Sequence, residues 1–149
     1  MERTWKTSSI LLQIVTGIMI LFGIGLFFGG QLLPNMEFII GMTTAEIRQT
    51  SPDLLMVMFV FLSVVSALMF SLGVGMTMLI RGPFVRRDPE ARRIVFTTLG
   101  LFLLFAEIIS FSVFPYSPWP IWSLCLILGV IAYFKSQPAA DPQSLDADS

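Results

Sequence analysis

Four stretches of the chain are almost free of charge: Ser9 to Leu33, Leu54 to Ile80, Ile94 to Phe114 and Trp119 to Phe134. A helix needs about 20 predominantly apolar residues to cross about 30 Å of hydrocarbon. The first three runs reach that length alone, and the fourth reaches it with its flanks.

The polar residues between the runs read as helix punctuation. Ser51-Pro52-Asp53 places an N-cap, a proline at the first helical position and an acid near the positive dipole end before the second run. Asp88-Pro89-Glu90 repeats that order, so the third helix is predicted to start inside the arginine-rich loop. Ser117-Pro118 does the same for the fourth. Gly82-Pro83 closes the second helix and Pro138 follows the fourth. The predicted fold is therefore all-α, an integral membrane, antiparallel up-and-down four-helix bundle. Its spans lie at about 9–33, 54–80, 91–114 and 118–135, in one domain covering 9–135.

The longest loop, Pro34 to Ser51, has an apolar first half (Met36, Phe38, Ile39, Ile40, Met42) that either lies on the bilayer surface or folds back over the bundle. Within it Thr43-Thr44-Ala45-Glu46 fits a capping box and predicts a short helix through Gln49. A loop of this length serves as structure or as a binding lid.

Charge then orients the spans. Arg3 and Lys6 precede the first, Arg81, Arg86, Arg87, Arg92 and Arg93 fill the loop after the second, and Lys135 ends the fourth; only Arg48 lies in the opposite loops. The positive-inside rule makes the arginine side cytoplasmic. That gives a cytoplasmic N-terminus over 1–8 and a polar, acidic, disordered cytoplasmic tail over 136–149. Tyr116, Trp119 and Trp122 are expected at the outer headgroup level, with Trp5 and Tyr133 at the inner. The N-terminal apolar run is too long for a signal peptide and reads as a retained helix. Arg86, Arg87, Arg92 and Arg93 set topology and also suit anionic lipid headgroups.

Composition narrows the chemistry. Of 149 residues 55% are hydrophobic and 13% charged, with a formal net charge of −1; mean hydropathy is +0.82. Lipid is the expected surroundings, and a nucleic-acid partner is not, because that needs clustered cations. With no histidine and one cysteine, Cys125, no imidazole catalyst, cysteine metal cluster or internal disulfide can be built. No cofactor and no metal is expected.

Two features inside the runs stand out. Ser63, Ala67, Ser71 and Gly75 recur every fourth residue, a spacing that lets helix backbones approach in lipid. Gly25 and Gly29 offer the same in the first helix. These stripes pack helices within one subunit or form a homodimer face.

The second feature is Glu107, an acid in the middle of the third run. Fourteen Ile, Leu, Val and Phe between Ile94 and Phe114 outweigh its cost, since each contributes up to about −0.3 to −0.6 kcal/mol against about +3 for a charge at mid-span. Helical spacing places Gly100, Leu103, Leu104, Ser110 and Phe111 on its side. At matching depth the expected partner is Ser63. Desolvation favours a neutral carboxyl that donates a hydrogen bond. Glu107 is then either an interhelix tie or, with Ser110 and Ser63, a proton, cation or ligand site.

Four spans in about 150 residues, a longer first outer loop, the basic loop "RGPFVRRDPEARR" and the connection "FPYSPWP" resemble the layout of DoxX-like small bacterial membrane proteins. The resemblance implies the four-helix fold and a bacterial inner-membrane location, and carries over no functional residue. Two roles fit the whole: a non-catalytic accessory or assembly component with a membrane-protein partner or a second copy of itself, or a transporter or channel subunit whose pathway passes Glu107. A lipid-modifying enzyme fits least, because one buried acid makes a poor catalytic set.

Overall fold

The structure is a computed structural model and describes residues 2–28, 37, 40–112 and 118–137. Every regular element among them is helical: α1 (Glu2–Phe28), α2 (Thr44–Thr50), α3 (Pro52–Leu79), a π-helical turn (Ile80–Phe84), α4 (Pro89–Ser112) and α5 (Trp119–Lys135). Three helical stretches are long and apolar enough to cross a membrane: Thr4–Phe28, Pro52–Phe84 and Pro89–Phe111. With 17 residues, α5 rises about 25 Å, a few ångströms short of the ~30 Å hydrocarbon layer.

Local chemistry sets most of the boundaries. At α2 both halves of the capping box form: Glu46 N–H donates to Thr43 Oγ1 at 3.3 Å, and Thr43 N–H donates to Glu46 Oε2 at 2.7 Å. Asp88 Oδ1 accepts from the amides of Glu90 (2.9 Å) and Ala91 (3.3 Å) and so starts α4 inside the arginine loop. Ser51 departs from expectation. Its side chain makes no cap bond, and its N–H instead closes α2 on Ile47 O at 2.8 Å.

Gly82-Pro83 does not stop the second helix. Pro83 has no N–H to give, and the chain widens into the π turn and continues through Phe84. The turn then ends in a Schellman arrangement, with Arg87 N–H on Phe84 O at 2.9 Å and Asp88 N–H on Pro83 O at 3.2 Å. Arg87 takes the left-handed position at φ 65°, where glycine is the usual residue.

Packing places α1 between α3 and α5, and α4 against α5; α3 meets α4 only sparsely. The core runs through Leu12, Val15 and Met19 of α1, Val95, Leu99 and Leu103 of α4, and Cys125 and Ala132 of α5. The outward faces are apolar too: Leu21, Phe28, Leu68, Phe105 and Phe134 are each more than 60% exposed. Water does not tolerate that surface over whole helices, and hydrocarbon does.

The seam between α1 and α3 is built from a different set of small residues than the spacing suggests. Ser66 donates its hydroxyl to Gly23 O. A Cβ on Gly23 would lie 3.1 Å from both Phe70 N and Ser66 O, and one on Gly73 would lie 2.7 Å from Ile20 Cγ1 and 3.2 Å from Thr16 O. Below them Thr77 Oγ1 stands 2.9 Å from Thr16 Oγ1. Ala67, Ser71 and Gly75 face outward, and a Cβ on Gly75 or Gly25 would meet nothing within 4 Å. The stripe that begins at Ser63 therefore does not line this seam, and neither does Gly25. Gly29 lies outside the described residues.

Two expected positions shift inward. Trp122 is 4% exposed and packs edge-on against Phe22 and Phe102, with ring centroids 5.1 and 5.9 Å away, so it belongs to the core and not to an outer belt. In the loop, Ile40 and Met42 fold back onto Ile47, Leu55 and Leu62, which is the folded-back placement for these two residues. Tyr116, Met36, Phe38, Ile39 and the tail from 138 lie outside the described residues.

Candidate functional site

The seam between α4 and α5 gathers the polar groups that the apolar spans would otherwise avoid. At one end stands Glu107. Its Oε1 accepts the hydroxyl of Ser123 in α5, while Oε2 is buried with no hydrogen-bond partner. Ser63, the partner expected from depth, donates instead to Phe59 O in its own helix at 2.8 Å. The reason is the helix order: α5, not α3, packs along α4. Ser110, one turn further on α4, is buried at 5% exposure.

At the other end of the same seam lies Arg92. Its guanidinium carbon sits 5.0 Å from the Tyr133 ring centroid and 5.8 Å from that of Phe96. Nε donates to Ser136 Oγ at 3.2 Å, whose own hydroxyl is held 2.9 Å from Tyr133 O. Nη2 is buried and has no acceptor. Arg86, Arg87 and Arg93 are exposed. Arg92 departs from that group because the first turn of α4 points it at α5.

An aromatic chain extends from Arg92 to the start of the protein. Tyr133, Phe96, Phe84 and Trp5 follow one another at centroid distances of 5.2, 5.9 and 5.2 Å. Trp5 Nε1–H donates to Phe84 O at 2.8 Å, and buried Ser8 donates to Ala132 O at 2.7 Å. These contacts fasten α1, the π turn, α4 and α5 together at one level, and Trp5 serves as a strut more than a surface anchor. The sequence signal was the arginine pair Arg92-Arg93, one half of which falls on a buried helix face.

Between Glu107 and Arg92 the seam opens into a cleft of about 470 Å³. Its floor is Leu12 and Val15 of α1 with Leu99 and Leu103 of α4, and its walls are low where Gly100 and Gly129 face each other across it. Nearly all of the lining is apolar. Such a surface can hold a hydrocarbon chain, but it cannot solvate an ion along its length.

Comparison with protein-family models, curated proteins and solved structures gave no match. The site rests on its own geometry. Among the described residues no group of three or more His, Cys, Asp or Glu could hold a metal ion. Cys125 is buried in the core.

Proposed function

We propose that the chain is a four-span integral membrane protein, an antiparallel up-and-down bundle, that works as a non-catalytic accessory or assembly component through helix packing. The observation that carries the role is the α3 surface. Ala67, Ser71 and Gly75 stay exposed because α1 uses the opposite set, Ser66 and Gly73. A small-residue face left open in lipid is a docking track for another transmembrane helix, from a partner protein or a second copy. Beside it Ser63, Ala67, Phe59 and Val60 line a shallow groove.

The four-span placement is supported by paired positions: Gly23 meets Ser66 while Thr16 meets Thr77, Phe22 meets Trp122 while Ser8 meets Ala132, and Glu107 meets Ser123 while Arg92 meets Ser136. In each pair of helices the numbers run in opposite senses. The basic residues then fall at one end, which the positive-inside rule makes cytoplasmic together with both termini. The layout resembles that of DoxX-like proteins, and that resemblance points to the plasma membrane, a bacterial inner membrane, as the setting. In a Cys125→Ser background, single cysteines at Lys6, Arg86 and Lys135 react with an impermeant thiol reagent from one side, and one at Gln49 from the other.

The role is tested by purification in mild detergent with Ala67→Leu and Gly75→Leu. A stoichiometric partner or a dimer that both variants lose supports it; a monomer unaffected by either contradicts it. A second reading, a transporter or channel subunit with Glu107 as proton or cation site, draws on the unpartnered Oε2. Glu107→Gln keeps a hydrogen bond and cannot titrate, so loss of proton-linked flux in liposomes at unchanged stability would favour it.

A further inference from the structure

The cleft on the α4–α5 seam has a chemistry that the accessory role does not use. Its floor and walls are hydrocarbon, and it opens sideways, between the exposed faces of Thr97, Val130 and Phe134. At one end Phe96 and Tyr133, both part of the lining, carry the guanidinium of Arg92 on their rings. Arg92 itself stands just outside the lining; its Nη2 is buried without an acceptor, and a head group reaches it when the guanidinium turns toward the opening. A buried donor on a charged group is costly unless an anion or lone pair meets it. Ser136 meets only Nε.

An occupant must therefore combine an apolar chain with an anionic head at the arginine level. A soluble anion lacks the chain, and a cleft open to the side admits molecules from the bilayer. A second copy of this face, docked about a two-fold axis along the membrane normal, would set its own Arg92 at the same depth as the first. Like charges there repel.

We propose that this cleft binds one anionic membrane lipid, its acyl chain lying over Gly100 and Gly129 and its phosphate taken by Arg92. The missing side chains are the means of binding. A Cβ on Gly100 would meet nothing within 4 Å, and one on Gly129 would come no closer than 3.7 Å to Leu103 Cδ1, so the groove is open volume and not a close helix crossing. Planar guanidinium suits phosphate because it presents two parallel N–H groups. The inference rests on the membrane placement proposed above, but not on the accessory role.

The test is native mass spectrometry of the full chain in detergent, titrated with phosphatidylglycerol and with phosphatidylcholine carrying the same two oleoyl chains. The expected result is one phosphatidylglycerol retained with at least five-fold preference. Arg92→Gln removes the preference, Arg93→Gln keeps it, and Gly100→Leu weakens retention of both lipids at least five-fold. Arg92→Lys keeps the charge without the planar fork and lowers the preference only in part, which decides the matter should Arg92→Gln fail to fold. Glycerophosphoglycerol, the headgroup alone, does not displace the lipid. Equal retention of the two lipids by the unmodified chain, equal loss in Arg92→Gln and Arg93→Gln, an unaffected Gly100→Leu, or a lipid-free dimer closed over the cleft would each overturn the proposal. A chain released from membranes by alkaline carbonate would overturn the membrane placement itself.

Discussion

Ser123 of α5 gives its hydroxyl to Oε1 of Glu107 in α4, whose second carboxyl oxygen is buried and unpartnered. The pair joins two apolar helices. Ser123→Ala is expected to destabilise the protein by about 0.6–2 kcal/mol, the range for hydrogen bonds between membrane helices. Glu107→Gln should cost less, since an amide still accepts from Ser123. Reversible unfolding in mixed micelles measures both, and a double-mutant cycle isolates the pair.

The α1–α3 crossing depends on two glycines. A methyl at Gly73 would stand 2.7 Å from Ile20 Cγ1, and one at Gly23 would stand 3.1 Å from the backbone of α3. The Gly73 methyl would also stand 3.2 Å from Thr16 O, so backbone limits relief at both positions. Gly23→Ala and Gly73→Ala are each expected to cost about 1–3 kcal/mol. Gly75→Ala, which meets nothing, should leave stability unchanged or slightly raised. The order of the three unfolding midpoints checks the assignment of the seam.

Arg87 holds a left-handed backbone, φ 65°, at the Schellman position that ends the π turn. Arg87→Gly removes that strain and should stabilise the turn by about 0.5–1 kcal/mol, set against the entropy glycine adds to the unfolded chain. Arg87→Ala keeps the strain and serves as the control for lost charge.

The loop around α2 should loosen in acid. Glu37 is held below the usual carboxyl value of 4.5 by the hydroxyl and then the amide of Thr44, and Glu46 by the amide and then the hydroxyl of Thr43. A depressed value in the folded state means that the contribution is fully present above the unfolded value and is lost as pH falls below it through the depressed one. Protection of the Thr43, Thr44 and Ile47 amides, taken relative to the free-chain exchange rate at each pH, is expected to hold near pH ~6 and to fall below 4.5. Glu46→Gln should weaken the pH response at Thr43 and leave that at Thr44.

Helix positions were legible in the sequence because their signals are local. Thr43 and Glu46 sit three residues apart, and Asp88 sits just before Pro89, so each cap closes within one turn. Partner choice was not legible. Depth pointed to Ser63 and not to Ser123, and it is the order in which helices pack, with α5 beside α4, that selects Ser123. The four-residue stripe from Ser63 was likewise visible, but it is Ser66 and Gly73, one ridge away, that meet α1. Arg92 was grouped with three exposed arginines because a run of charges does not disclose which member a helix turns inward.

A partner helix docked on α3 would cover its exposed small residues. Photo-crosslinking side chains placed singly at Ala67, Ser71 and Gly75, and at Ser66 and Met69 as buried controls, can be activated in native membranes. One discrete protein adduct of the same mass is expected from the three exposed positions and none from the controls. Lipid adducts alone at all three, at stoichiometric expression of any partner, would contradict it.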